Sequence, residues 1–294
     1  MRRLFVLIAL LALCPFVHAE IPAEWTTPVV PFKIADNLYY VGSRDLASYL
    51  VTTPKGNILI NANLESSPPQ IRASVEKLGF RWEDTKILLN GQAHYDHAAG
   101  AAQILRETHA KNYVMAGDEQ VMETGGKADF LAASGSLQTY PPAHVDHVLH
   151  DGEVVSLGGV DLLAHRTGGH TRGCTTWTMK VHLPGEPADK LRNVVIIGGM
   201  SFWGDFHFVA KPGKPESYPG IAADFEHTFQ VLHALPCDVF LGAHGQYFDM
   251  LEKLDRQKSA PGAAVWIDPA GYQAALAARE KEFRDELKKQ QGKG

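Results

Sequence analysis

The first half of the chain alternates between strand-like and helix-like patterns of apolar residues. Runs rich in aromatic and β-branched residues, bounded by Pro, Gly and Asn, predict strands. Apolar residues at helical spacing after the pair Pro68-Pro69 predict a helix that ends near Gly79, and two shorter helices are predicted at 98–108 and 118–123. The predicted strands of this half are 38–41, 49–52, 58–60, 87–89 and 113–115.

The second half has the same order of elements, strands first and then strands paired with helices. It begins with the segment 127–143, which has little periodicity and is predicted to be a long loop of the kind that is often functional. A second sheet is predicted from strands at 145–149, 153–157, 160–164, 174–181 and 194–197. A further buried strand at 239–241 and helices at 222–235, 250–258 and 270–289 complete the chain.

Two such series of elements predict an α/β protein in which two sheets pack face to face with helices outside. No linker long enough to separate two independent domains is visible. We therefore expect residues 20–294 to form a single domain.

The first 19 residues have the pattern of a secretory signal peptide. Two arginines precede the apolar run 4–13, and Val17 and Ala19 are the small residues expected before a cut at Glu20. The run is too short to span a membrane. A lipoprotein cut before Cys14 is disfavoured because a large leucine precedes that cysteine. The sequence therefore predicts a periplasmic or secreted protein that has no membrane attachment after cleavage.

The composition is that of an ordinary globular protein, with 45% hydrophobic and 21% charged residues. Removal of residues 1–19 takes away two arginines and no acidic residue, so the net charge shifts from −5 to −7. This mild acidity argues against a nucleic-acid partner. Cys174 and Cys237 remain, and they could pair in an oxidising compartment or stay as free thiols.

Residues 90–100, Asn-Gly-Gln-Ala-His-Tyr-Asp-His-Ala-Ala-Gly, carry the strongest chemical signal. They follow the buried strand at 87–89, and His94, Asp96 and His97 lie within four positions on the loop predicted to leave it. Two imidazoles and a carboxylate at this spacing can converge on a metal ion, and zinc accepts both kinds of ligand. Strand-like alternation would point Gln92 the same way as His94, which adds an amide to the group.

Two later histidines lie in the same kind of position. His170, in Thr-Gly-Gly-His-Thr, follows the strand at 160–164, and His244, in Gly-Ala-His-Gly, follows the strand at 239–241. Ligands on several loops at one edge of a sheet core can meet, and the neighbouring glycines allow close backbone approach. The sequence therefore predicts that these histidines join the metal site.

The Gln-Ala-His-Tyr-Asp-His segment resembles the His-x-His-x-Asp-His motif of the metallo-β-lactamase superfamily, with Gly-Gly-His-Thr and Gly-Ala-His as its later histidines. Trp25 and the Pro-Cys-Asp-Val segment before His244 are similar to subclass B3 in particular, and the resemblance covers nearly the whole mature chain. It implies an αββα sandwich of two mixed sheets, a site for two Zn²⁺ ions and zinc-dependent hydrolysis of the β-lactam ring. The implied substrates are penicillins, cephalosporins and carbapenems, attacked by metal-bound hydroxide, an activity that confers antibiotic resistance.

The resemblance also implies the ligands of each zinc. The first metal site would consist of Gln92, His94 and His170, and the second of Asp96, His97 and His244. Asp96 would in addition be catalytic, because it would orient the nucleophile.

This sequence departs from the commoner family pattern at two positions, and both departures are similar to a Gln-bearing minority of subclass B3. Gln92 replaces the first histidine, and Met200 appears where a serine is more frequent. An amide oxygen is neutral and a weaker donor to zinc than imidazole. We therefore expect the two sites to bind zinc with unequal affinity, the second site more tightly.

Two other functions stay open from the sequence. Hydrolases of this fold that act on lactones or thioesters often have an acidic residue bridging the metals between the last two histidines. The matching stretch here is Ile-Gly-Gly-Met-Ser at 197–201, without an acid, although Asp205 lies nearby. The other alternative is a secreted zinc-binding protein without activity.

Substrate recognition rests on fewer residues. β-Lactams carry a carboxylate, so a hydroxyl or cation near 200–203 is expected to hold it, and Ser201 is the candidate. The aromatic residues of this region could line an apolar wall or pack in the core. The long loop 127–143 could cover the site.

Overall fold

Two mixed β-sheets pack face to face in the computed structural model, which describes residues 21–292. The predicted signal peptide, residues 1–19, lies outside the described residues. The first sheet has seven strands whose spatial order follows the chain: β1 (Phe32–Ala35), β2 (Leu38–Tyr40), β3 (Tyr49–Thr53), β4 (Gly56–Ile60), β5 (Thr85–Leu89), β6 (Lys111–Met115) and β7 (His147–Leu149).

The second sheet has five strands: β8 (Val154–Leu157), β9 (Val160–Arg166), β10 (Thr175–Val181), β11 (Arg192–Ile197) and β12 (Val239–Gly242). Their spatial order is β12-β11-β10-β9-β8. Strands β4 to β7 pair in parallel, as do β11 and β12, whereas the other neighbours are antiparallel. Both sheets are therefore mixed, as the family resemblance implies.

The helices are α1 (Ala23–Thr26), α2 (Pro68–Lys77), α3 (Tyr95–Ala98), α4 (Ala101–Thr108), α5 (Glu119–Glu123), α6 (Ile221–Ala234), α7 (Met250–Ser259) and α8 (Pro269–Gln290). Short 3₁₀ turns occupy Trp82–Asp84, Ala132–Ser134, Gly245–Phe248 and Ala263–Trp266. These bounds agree with the predicted helices to within a few residues.

Alternation along the strands divides the apolar side chains between two cores. Tyr49 and Val51 of β3 face the core between the two sheets, whereas Leu50 faces the core beneath α2 and α4. On the opposite side, α6 and α8 pack together against the second sheet, and the rings of Phe225 and Phe283 stack with centroids 5.1 Å apart. The layers are therefore helix, sheet, sheet and helix.

The strand predicted at 145–149 belongs to the first sheet, so its assignment to the second sheet was wrong. It forms β7, which pairs in parallel with β6, Tyr113 opposite His147. The backbone N–H of Asp146 donates to the Asn112 carbonyl at 2.9 Å, and the Asp146 carboxylate accepts from the Asn112 N–H at 3.0 Å. After β6 the chain therefore adds one more parallel strand to the first sheet before it crosses to the second sheet. Strand patterning does not encode which of the two sheets such a strand joins.

The carboxyl ends of the parallel strands bring distant loops together at one edge of the sandwich. β5 leads into 90–98, β11 into 198–203 and β12 into His244. The two sheets are joined there by hydrogen bonds from the Ala47 N–H to the Ala243 carbonyl (2.9 Å) and from the Thr175 N–H to the Gly91 carbonyl (2.7 Å).

Within residues 21–292, no helix combines the length and apolar character needed to cross a membrane.

Candidate metal centre

The segment that follows β5 is held in place from below by β4. The N–H groups of Ala62 and Asn63 both donate to the His97 carbonyl, at 2.9 and 3.0 Å, and the Asn61 side chain accepts from the Gly91 N–H at 2.8 Å. Asn61 and Asn63 adopt left-handed backbone conformations, with φ of 67° and 56°, which Asn tolerates better than most residues. This backbone geometry fixes the position of the predicted ligands.

The predicted loop contains a single helical turn. His94 is the residue before α3, and Asp96 and His97 lie within that turn. The correction is local: the helical turn, rather than a loop, directs Asp96 and His97 into the interior of the molecule, where both are buried.

Asp96, His97 and His244, the residues predicted for the second metal site, converge. His97 Nε2 lies 3.2 Å from both Asp96 Oδ2 and His244 Nε2, and His244 Nε2 lies 3.5 Å from Asp96 Oδ2. Donor atoms bound tetrahedrally to zinc at about 2.0–2.1 Å are about 3.3 Å apart. The triangle of donor atoms therefore has the size and the chemistry that zinc requires.

His94 and His170, two of the three residues predicted for the first metal site, also lie together. His94 Nδ1 and His170 Nε2 are 3.2 Å apart, and both rings are buried. Gln92, two positions before His94 in the sequence, is buried, and its Oε1 has no hydrogen-bond partner among the described residues. A buried acceptor without a partner carries a desolvation cost that a metal ion would remove. This orphaned oxygen fits the predicted role of Gln92, which stays a prediction.

Close packing around His170 depends on glycine. A Cβ atom at Gly199 would lie 2.7 Å from the His170 ring, and one at Gly198 would lie 2.4 Å from the Gly91 carbonyl oxygen. Both glycines follow β11, so the small residues seen in the sequence allow the two sheets to approach at the site.

Asp45, which the sequence analysis missed, fixes the orientation of His244. His244 Nδ1 lies 2.9 Å from Asp45 Oδ2, and the same oxygen accepts the indole N–H of Trp25 at 3.0 Å. The other oxygen accepts the Gln246 N–H at 3.0 Å. A carboxylate behind a histidine ligand selects its tautomer and increases its basicity. Trp25, which entered the sequence analysis only as a family marker, therefore supports the second metal site.

The histidines of the first site have different support. His170 Nδ1 donates to the Ser201 carbonyl at 2.7 Å, and Asp129 Oδ2 lies 3.5 Å from His94 Nε2, too far for a strong hydrogen bond. Asp129 comes from the long loop 127–143. The histidines of the first site are thus supported by a backbone carbonyl and a distant carboxylate. In the second site, His244 is hydrogen-bonded directly to the Asp45 carboxylate.

Asp118 joins the loops of His94 and His170. Its buried carboxylate accepts the Ala93 N–H (2.9 Å), the Thr171 hydroxyl (2.7 Å) and the Gly173 N–H (2.7 Å). Burial raises the pKa of Asp118 to about 6, although these hydrogen bonds oppose the rise. The carboxylate therefore acts as a cross-link between two elements that carry ligands.

The protonation equilibria of the two sites differ. Burial lowers the pKa of His244, but its hydrogen bond to Asp45 and the neighbouring carboxylate of Asp96 raise it to about 9. Burial and the charge on His94 lower the pKa of His170 to about 3. Burial raises the pKa of Asp96, but His97 and His244 hold it well below its ordinary value. Asp96 is therefore ionised at neutral pH and could serve as a charged ligand for a cation.

A cleft of about 300 Å³ opens above both clusters. Trp25, Leu137 and Trp203 form apolar walls, and Ser201 also lines the cleft. The alternatives left open for the aromatic region are resolved: Trp203 faces the cleft, whereas Phe206 and Phe208 are buried in the core. The loop 127–143 borders the cleft, because Ser136 and Leu137 line it; that the loop covers the site stays a prediction.

Several other positions differ in outcome. Met200 is buried and is not among the lining residues, and Asp205 does not line the cleft either. Arg279 of α8 does line it, and no motif in the sequence indicated this. Cys174 and Cys237 are both free thiols, so of the two alternatives for the cysteines the unpaired one applies.

Comparison with known proteins agrees with this geometry. Residues 44–182 match the family model described as the metallo-beta-lactamase superfamily. The native FEZ-1 metallo-β-lactamase from Legionella gormanii is 47% identical, with 90% of this chain and 98% of that chain covered and a TM-score of 0.84.

Two further solved structures are similar over almost their whole length. BJP-1, a subclass B3 metallo-β-lactamase of Bradyrhizobium japonicum, is 31% identical, with 92% of this chain and 98% of that chain covered and a TM-score of 0.82. LRA-12, a class B3 di-zinc metallo-β-lactamase from an Alaskan soil metagenome, is 34% identical, with 90% and 96% covered and a TM-score of 0.79. The chain therefore belongs to the metallo-β-lactamase superfamily and, within it, to the subclass B3 metallo-β-lactamases.

Proposed function

We propose that this protein hydrolyses the β-lactam ring of penicillins, cephalosporins and carbapenems with the help of two Zn²⁺ ions. The observation that carries the proposal is the buried triangle of Asp96, His97 and His244 beside the His94–His170 pair, at the floor of one cleft. Support also comes from the 47% identity to FEZ-1 and from the di-zinc relative LRA-12.

We assign the two metal sites as the sequence predicts them. Gln92, His94 and His170 would hold the first zinc, and Asp96, His97 and His244 the second. The chemistry that zinc would supply at these residues is an activated water and polarisation of the amide carbonyl. We propose that the second site binds zinc more tightly, because it combines a carboxylate with two imidazoles, one of them backed by Asp45.

The side chains of the cleft would position the reactants. Asp45 holds the His244 ring through Nδ1 and leaves Nε2 facing Asp96. Asp96, as an ionised carboxylate at the cleft floor, would orient the attacking water as well as bind metal. Trp25 and Trp203 would exclude bulk water from the bound substrate, which strengthens electrostatic interactions inside the cleft. Ser201 is retained as a candidate hydrogen-bond donor to the substrate.

Several organisational features belong to the same proposal. Residues 20–294 would form a single metallo-β-lactamase-fold domain, exported to the periplasm or the medium after cleavage before Glu20. N-terminal sequencing of the protein recovered from the periplasmic fraction checks export and the cleavage site. A mature chain that begins at another residue would overturn the cleavage site.

The test is hydrolysis of nitrocefin, a penicillin and a carbapenem by zinc-loaded protein, with and without a zinc chelator. We expect turnover of all three, its loss with chelator and its recovery on addition of Zn²⁺. A lactone and a thioester are assayed in parallel. If protein of confirmed zinc content left the β-lactams intact, the proposal would fail, and turnover of the lactone or thioester would then identify another hydrolase.

A further inference from the structure

Arg279 is the single lysine or arginine among the described residues that line the cleft. It comes from α8, the last helix of the chain, and is far in sequence from the motif at 90–100. The proposed substrates carry a carboxylate next to the lactam ring. A buried or half-buried carboxylate requires a cation or several hydrogen-bond donors, so the identity of its partner matters for substrate choice.

The residues near 200–203 offer few free donors for this carboxylate. Met200 is only 3% exposed and has no donor group. The Ser201 carbonyl accepts from His170 Nδ1, which leaves the Ser201 hydroxyl as the polar group of this residue in the cleft. A neutral hydroxyl offers a single donor and is a weaker anchor for a negatively charged group than a guanidinium.

Arg279 lines the same cleft as Ser201 and the Tyr247 phenol. Arg279 Nη1 donates to Glu282 Oε2 at 2.7 Å, and the two side chains are 38% and 54% exposed. A surface ion pair of this kind is weak. It uses one of the five N–H donors of arginine, which leaves a second edge for a carboxylate.

The helix that carries Arg279 is firmly anchored. Phe283, four residues further along α8, packs in the core against Phe225, and the Tyr272 hydroxyl donates to the Leu232 carbonyl at 2.7 Å. A planar guanidinium presented from a rigid helix can bind a carboxylate through two parallel hydrogen bonds. Arg279 therefore has the charge, the position and the support that the substrate requires.

We propose that Arg279 binds the carboxylate of the β-lactam and makes the enzyme selective for anionic β-lactams over neutral ones. This inference rests on the proposed function and adds to it the charge of the preferred substrate. Arg279 is a substrate-binding residue in this account, with no part in holding zinc.

The experiment compares a cephalosporin with its carboxyl methyl ester in wild-type protein, Arg279→Met and Arg279→Lys. Loss of a charged hydrogen-bonded pair should raise KM for the acid by roughly 10- to 100-fold in Arg279→Met. The kcat value should change little, since uniform binding affects KM. KM for the ester should stay as in wild type, Arg279→Lys should be intermediate for the acid, and zinc content should be unchanged in all variants.

Arg284 provides the matched control, because it lies on the same helix, pairs with Glu280 and does not line the cleft. Arg284→Met should leave KM for both substrates as in wild type. If Arg279→Met raised KM equally for acid and ester, or for neither, the inference would be overturned while the proposed function stood. If zinc-loaded wild type hydrolysed neither compound, it is the proposed function that would fail.

Discussion

The two proposed metal sites lie in one cleft but differ in their ligands and in the residues that support those ligands. The second site has a carboxylate and two imidazoles, and Asp45 is bonded directly to His244 at 2.9 Å. The first site has two imidazoles and the orphaned amide oxygen of Gln92, and its nearest supporting carboxylate, Asp129, lies 3.5 Å from His94. Net negative charge is therefore concentrated at the second site, and with it the expected affinity for a cation.

Zinc affinity at each site is therefore expected to depend on the residues that hydrogen-bond to the ligands as well as on the ligands themselves. Asp45 orders Trp25, Gln246 and His244 around one carboxylate, so the second site is organised before metal arrives. At the first site Asp118 organises both ligand loops through the Ala93 and Gly173 N–H groups and the Thr171 hydroxyl, rather than through a hydrogen bond to a ligand side chain.

Removal of the Asp96 carboxylate should have the largest effect. Asp96→Asn takes away the only charged ligand proposed for the second site. We expect one tightly bound zinc to be lost and kcat/KM to fall by about 10³-fold, since a metal ion supplies several kcal/mol of transition-state stabilisation. Zinc analysis and steady-state kinetics measure both. Asp205→Asn, which changes an acid outside the cleft, is the control, and a comparable loss there would contradict the assignment.

Removal of the supporting carboxylate should have a smaller effect on the same site. Asp45→Asn keeps the shape of the side chain but weakens its hold on His244, and we expect the second-site zinc affinity to fall by about 10- to 100-fold. Trp25→Phe keeps an aromatic ring but removes the indole N–H, one of the groups that position Asp45, so it should reduce affinity less than the loss of Asp45 itself. Zinc competition with a chromophoric chelator measures both. Asp161→Asn, an exposed change on β9, should behave as wild type, and equal losses in all three variants would argue against a specific role for Asp45.

The pH dependence of second-site binding follows from the raised pKa of His244. The pKa is about 9 in the metal-free protein, so below pH 9 zinc must displace a proton from this imidazole. As the pH falls from 8.5 to 6.5, the second-site dissociation constant for zinc should therefore rise about tenfold for each pH unit. Asp45→Asn removes one cause of the raised pKa and should make this dependence shallower at the upper end of that range. The same slope in wild type and variant would show that Asp45 does not set the His244 equilibrium.

Local patterns in the sequence predicted most of the fold and suggested the ligand set that we propose. Runs of aromatic and β-branched residues between turn residues predicted most strands, although not β1. The spacing of His94, Asp96 and His97 indicated a metal site because those residues are close in the chain. Asp45 could not be predicted, since it meets His244 across 199 positions and has no motif of its own. Arg279 and Asp129 were missed for the same reason. The sheet to which β7 belongs depends on a parallel pairing with β6, which strand patterning leaves open.

Gln92 shows where sequence and structure meet. The sequence identified an amide where the family more often has a histidine, and the structure adds that its oxygen is buried and unpaired within the part of the chain that is described. A buried acceptor in this state is suited to a metal ion, but to a weaker degree than imidazole.

The most direct test of the unequal sites is the pair of zinc dissociation constants of wild type and Gln92→His, measured by titrating metal-free protein against a chromophoric chelator. We expect two constants in wild type separated by at least about tenfold, with the second site filled first, and a smaller separation in Gln92→His because imidazole is the better donor. Two equal constants in wild type, or constants unchanged by Gln92→His, would contradict the account.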